Sequence, residues 1–155
     1  MDLNLNKKVS IPANSSVTNK LTQNIDLGYM SIVHGEWETD NDDPLDPNEI
    51  VIPQCSIDII YRYPFTGIYP FTHTTTHPQG FSRKEISEQI MHRYAQMYRE
   101  EEEDAGNPGN ITGMFNRQTT AGRYGVWGHD IGDLMLYSIS IDRTNKDQYT
   151  IGIDS

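Results

Sequence analysis

The sequence predicts an α+β fold: a single domain in which an antiparallel or mixed sheet packs on one long amphipathic helix, with a C-terminal β-hairpin closing the chain. Three observations point there. Start and stop signals bracket apolar residues at helical spacing between Ser82 and Gly106. Two alternating runs flank the turn-like "DRTNKD" near the C-terminus, and a further alternating run precedes residue 64. At 155 residues the chain is long enough for one real core and too short for two.

Residues 1–24 are polar and rich in Asn, Ser, Thr and Lys, and read as an N-terminal arm, with the domain proper at 25–155. Leu27 to Trp37 carries β-formers and reads as a strand, followed by the acidic, proline-bearing loop "ETDNDDPLDPNE". From Ile50 to Tyr63 the alternation is clearest: Ile57, Ile59 and Tyr61 share one face, Asp58, Ile60 and Arg62 the other, with Pro53 at a start or an edge. Prolines and glycines among the aromatics and threonines of 63–80 predict a loop or irregular strand over the core.

Ser82 and Glu85 form an S-x-x-E capping box, and Phe81 and Ile86 stand at the positions of a hydrophobic staple. Ile86, Ile90, Tyr94, Met97 and Tyr98 then recur on one helical face, until Gly106 and Pro108 stop the helix. After a polar connection from Asn107 to Tyr124, Met135, Tyr137, Ile139 and Ile141 alternate with Leu134, Leu136, Ser138 and Ser140, and Tyr149, Ile151 and Ile153 return the hairpin.

Charge narrows the partners. A net charge of −10 opposes binding to nucleic acid or anionic membranes, and favours a basic partner or a cation. No run approaches the roughly 18 apolar residues of a membrane helix, and residues 1–16 lack the apolar stretch of a signal peptide, so an intracellular, cytoplasmic protein is expected. The single cysteine, Cys55, fits a reducing compartment, and its place in "QCSIDIIY" reads as a small buried hydrophobe. There is no P-loop, no G-x-G-x-x-G after a strand, no G-x-S-x-G, no H-E-x-x-H and no CxxC pair.

The stretch that invites chemistry is "GRYGVWGHDIGDL", residues 122–134. A functional reading makes His129 a general base or metal ligand, helped by Asp130 or Asp133, in a pocket walled by Tyr124 and Trp127. A structural reading gives Gly122, Gly125, Gly128 and Gly132 to turns, packs Trp127 in the core against Ile86, Ile90 or Tyr94, and leaves His129 and Asp130 to bond loop backbone. Neighbouring His and Asp in an extended segment point to opposite faces, which argues against a catalytic pair.

His73 and His77 are four apart. On a helix they would stand about 6 Å from each other and suit a metal. In the extended chain that the flanking prolines and threonines favour, they stand about 13 Å apart, so a zinc site would need His73 or His77 to meet His129 by folding. The acids from Glu100 to Asp104 oppose the dipole at a helix C-terminus, which makes them either a solvated end or a docking patch for a basic segment. "DNDDPLDPNE" departs from a calcium loop, with Pro44 near the required glycine and Val51 in place of the closing Glu.

Gly80, Phe81, Ser82 and Arg83, then Tyr94, Met97, Tyr98, Glu100 and Glu101, then Tyr124 to His129 with Asp133 and Leu134, resemble the pattern of an uncharacterised family found in plants and large DNA viruses. The pattern runs G-F-[ST]-R, Y-x-x-[IM]-Y-x-E-E and Y-G-[IV]-W-G-H with a following D-L. The resemblance covers the C-terminal half and implies a shared role for Tyr124, Trp127, His129 and Asp133, in a eukaryotic or viral intracellular setting such as host cytoplasm. It brings no activity with it.

Three functions remain open on these residues. The first is a small non-enzymatic module that binds a protein partner or self-associates, as a homo-oligomer, through a sheet edge or the aromatic segment 63–77. The second is a hydrolase-like or metal-assisted enzyme centred on His129, with Asp130, Asp133 and Tyr124 as helpers and His73 or His77 as ligands. The third is a small-ligand binder with its pocket between the helix and the Tyr124 to Trp127 loop.

Overall fold

The computed structural model describes residues 22–35, 45–144 and 148–155. In chain order the elements are β1 (Thr22–Ser31), β2 (Ile50–Ile52), β3 (Ser56–Tyr61), β4 (Tyr69–Thr74), β5 (Phe81–Ser82), α1 (Arg83–Ala105), β6 (Gly109–Asn110), β7 (Gln118–Thr119), a 3-10 turn (Ile131–Asp133), β8 (Met135–Asp142) and β9 (Gln148–Asp154). Five strands form one sheet in the order β1-β8-β9-β3-β4. The sheet is mixed, because β3 runs parallel to β9 while its other pairs are antiparallel. Two small two-stranded pairs, β2 with β5 and β6 with β7, complete an α+β architecture.

The helix begins where the sequence signals place it. Ser82 is extended, and its Oγ accepts from the Glu85 amide at 3.2 Å. Glu85 does not reach back; its carboxylate accepts from the Thr75 hydroxyl at 2.8 Å. Arg83 is buried and clamps three segments: Nε donates to the Asp26 carbonyl, Nη1 to the Asp46 carbonyl, and Nη2 pairs with Glu49 at 2.7 Å. Gly80 precedes it at φ 111°, where a Cβ would lie 2.9 Å from the Gln54 amide. The G-F-S-R quartet thus fixes a tight entry, and Gly106, at φ 66°, caps the other end.

One core joins helix and sheet. Ile86, Ile90, Tyr94 and Met97 bury against Leu27, Met30, Ile59, Tyr61, Leu136 and Ile139. No helix among the described residues is long and apolar enough to cross a membrane.

Five expectations need correction. Segment 63–80 contributes a regular strand, β4, paired over six residues with β3; Pro70 is tolerated because β4 is a sheet edge. The arm does not run to residue 24: Thr22, Gln23 and Asn24 pair with Asp142, Ile141 and Ser140, since ladder hydrogen bonds need no apolar side chain; residues 1–21 lie outside the described residues. The strand expected at 27–37 spans 22–31 and gives way to a turn, and its last two expected residues, with the acidic loop to Pro44, also lie outside the described residues. Cys55 is exposed because it sits in the bend between β2 and β3. In β8 the register shifts between Leu136 and Ser138, so Leu136, Ile139 and Ile141 face inward and Tyr137 is exposed.

Candidate functional site

Glu101, Tyr98 and Tyr94 follow one another along the buried stripe of α1, and each holds a different part of the chain. Glu101 is 2% exposed. Its carboxylate accepts from the Thr120 hydroxyl at 2.6 Å and from the amides of Gly122 and Tyr124 at 2.8 Å each. Burial pushes this carboxyl up, but the donors outweigh it and hold the group below its usual range. A Cβ on Gly122 would lie 2.7 Å from Oε2, so glycine is the residue that admits this approach. Tyr98 donates to the His129 carbonyl at 2.9 Å, and Tyr94 to the Tyr63 carbonyl at 2.9 Å. Glu100 accepts from the Tyr124 hydroxyl and pairs with Arg123.

The acidic helix end is therefore not a uniformly solvated one, as one sequence reading had it. Glu100 and Glu101 anchor the loop from Thr120 to Tyr124: the loop turns two of its amides toward Glu101, and the Tyr124 hydroxyl and the Arg123 guanidinium toward Glu100.

Beyond Tyr124 the backbone is pinned again. The amide of Thr66 donates to the Gly125 carbonyl at 2.8 Å, that of Trp127 to Pro64 at 3.0 Å, and that of Gly128 to Gln118 at 2.8 Å. Gly125 and Gly128 take positive φ, 65° and 76°. Isolated bridges join Phe65 to Val126 and Thr119 to Trp127, so the two neighbours point to opposite faces. Val126 takes the inner face, and Trp127 is 43% exposed. This overturns the core placement of Trp127; the space is filled by Phe65, whose ring stacks on Tyr94 at 5.7 Å and meets Tyr124 at 5.8 Å.

His129 faces a cleft of about 270 Å³ between the end of α1, β7 and the 3-10 turn, with Tyr98, Glu102, Arg117, Asp130 and Asp133 among its walls. Its Nε2 lies 2.8 Å from the Tyr63 hydroxyl and its Nδ1 3.3 Å from Arg117 Nη1. A guanidinium only donates, so Nδ1 accepts and Nε2 carries the ring hydrogen toward Tyr63. Burial and the Arg117 charge both lower the imidazole's pKa, against a smaller opposite pull from Asp133. Asp133 accepts from Arg117 and from the Asp130 amide, each at 3.2 Å. Tyr63 also lines a shallow groove with Arg62, Phe65 and Trp127. The Tyr63 and His129 rings, 5.3 Å apart, thus stand between groove and cleft.

Of the candidate residues, the fold brings together His129, Asp130 and Asp133. Tyr124 is engaged with Glu100, Glu101 and the aromatic cluster. The three proposed metal ligands lie in separate networks. His73 is buried: Tyr61 donates to its Nε2 at 3.0 Å, and its Nδ1 donates to Gln89 at 3.1 Å, an orientation fixed because Gln89 Nε2 gives its hydrogen to the Thr74 carbonyl. His77 Nδ1 accepts from the Gln79 amide. Among the described residues no three His, Cys, Asp or Glu side chains group to hold a metal.

Sequence reasoning gave Arg117 no role, and did not join Tyr63 of the aromatic segment, Tyr98 of the helix face or Glu101 of the acidic run to the surroundings of His129. Glu101 was detectable, being an acid seven residues after Tyr94 on the apolar stripe. Arg117 gives no local signal. No family model, curated protein or solved structure matches the chain.

Proposed function

We propose that this chain is a non-catalytic recognition module whose partner docks on the Tyr63–Trp127 face. One observation carries the reading: Trp127 and Tyr63 are 43% and 41% exposed, while the Trp127 amide and its neighbours are fixed by hydrogen bonds to Pro64, Thr66 and Gln118. A folded chain gains by burying tryptophan, so one displayed on a fixed backbone suits an interface, where rigid aromatics anchor binding at little entropic cost. The groove beside it gives such a partner a place for an apolar side chain.

The arrangement at His129 favours this reading over a hydrolytic centre. A general base needs a free lone pair facing the proton it takes, and usually a carboxylate behind it. Here the lone pair faces a cation, and the other nitrogen donates to Tyr63. The test uses purified wild type and Trp127→Ala to recover cross-linked partners, self-association included, followed by reconstitution from purified components. The reading expects a partner bound by wild type and lost with Trp127→Ala at unchanged thermal stability. A partner held equally by both proteins overturns it.

A further inference from the structure

We infer that the cleft beside His129 receives a lysine or arginine side chain of the docked partner, so that the partner is a basic segment with an apolar residue on Trp127. The inference rests on the recognition reading above and adds the partner's chemistry and register.

Charge is the first ground. Four carboxylates line the cleft, Glu101, Glu102, Asp130 and Asp133, against one guanidinium, Arg117. Arg117 spends its charge on Asp133, and Glu101 spends its own on the 120–124 loop. Glu102 and Asp130 remain: neither forms an ion pair among the described residues, and the Asp130 carboxylate faces only the Asp133 amide in the capping box of the 3-10 turn. The cleft also opens at the C-terminal end of α1, whose last turn holds no basic residue, so the negative pole of the helix adds to the field. A cation seated there would relieve like-charge repulsion and the dipole together, and an acidic or phosphate-bearing partner would meet both.

Shape is the second. Apolar wall from Ala105, Pro108 and Val126 suits a methylene stem, and Tyr98 offers a ring. The cleft's volume, about 270 Å³, lies at the lower end for ligand sites and fits a side chain rather than a large cofactor. Register follows from Tyr63 and His129, which separate the two depressions. Arg62 lines the groove, so the partner's cation belongs on the cleft side.

The experiment measures fluorescence anisotropy of labelled hexalysine and hexaglutamate peptides, each with one central leucine, against the full chain. The basic peptide binds wild type and the acidic one does not. Glu102→Gln with Asp130→Asn weakens binding about tenfold, while Glu88→Gln with Glu103→Gln, which removes the same charge outside the cleft, leaves it unchanged. Thermal melts confirm that each variant is folded. Absent binding, a preference for the acidic peptide, or equal weakening by both double variants overturns the inference. Weakening by Trp127→Ala but not by the cleft variant also overturns it, and leaves the recognition reading standing. Weakening by the cleft variant but not by Trp127→Ala supports the cation site, and removes the groove from the reading.

Discussion

Glu101 and Tyr124, 23 residues apart, are joined by a hydrogen bond of 2.8 Å from the Tyr124 amide to Glu101 Oε2. The carboxylate lies inside the fold and faces backbone donors instead of a basic side chain. A buried charge is tolerable only when its lone pairs are filled, and here two amides and a hydroxyl fill them. The loop gains as much, since its amides would otherwise be buried without acceptors. Helix end and loop therefore form one unit.

Glu101→Ala is expected to destabilise the fold by about 3 kcal/mol, since it leaves buried amides without an acceptor. The carboxyl is held below the ordinary glutamate value of 4.5, so its contribution is present above that pH and lost as pH falls through the folded-state value. Urea unfolding between pH 3 and 6 checks both points: Glu101→Gln should lower stability at pH 6 and flatten the acid slope. An unchanged slope would show that the charge contributes nothing.

His73 gives the opposite protonation logic with the same direction in pH. Burial lowers its pKa from 6.5, and the hydrogen bond that its Nδ1 donates to Gln89 only partly offsets this. The unfolded chain therefore takes up a proton first as pH falls, and stability declines from about pH 6.5 down through the folded-state value. His129 is shifted the same way and adds to the decline. His73→Leu should show a shallower fall in urea midpoint between pH 7 and 5 than wild type. An identical slope would remove His73 as a contributor.

How far the sequence led depends on the kind of signal. The helix was legible because its cap, its apolar face and its stop are local and agree. β3 was legible from Ile57, Ile59 and Tyr61, which alternate as a half-buried strand must. β4 was hidden by Pro70 and the threonines, since only pairing with β3 makes that segment a strand. Trp127 misled because composition favours a buried tryptophan, whereas a one-residue phase set by two isolated bridges decides its side. In the cleft, His129, Asp130 and Asp133 were legible as a group because they lie within five residues of one another. Tyr63 and Arg117 reach it from 66 and 12 residues away.

Trp127→Ala should cost less than about 1 kcal/mol, in contrast to the 3 to 5 kcal/mol typical of a buried tryptophan. The side chain is close to half exposed, and its backbone bonds survive the change. Thermal unfolding of the two proteins measures it directly. A loss above about 3 kcal/mol would return Trp127 to the core and take away the basis for a displayed anchor.

Gly152 tests the bulge in β8. Leu136 pairs with Ile153 and Ser138 with Gly152, so Tyr137 is the extra residue, and its ring covers Gly152. A Cβ at 152 would lie 2.7 Å from that ring, closer than carbon atoms pack, and it would also meet the Ser138 hydroxyl. Gly152→Ala should therefore destabilise by about 1 to 3 kcal/mol, although alanine ordinarily favours a fixed backbone over glycine. The added Tyr137→Ala change should restore part of the loss, because the ring is one of two obstacles. A double-mutant cycle from urea unfolding reads the coupling. Additive losses would mean that the ring swings clear, and that the bulge tolerates a side chain on β9.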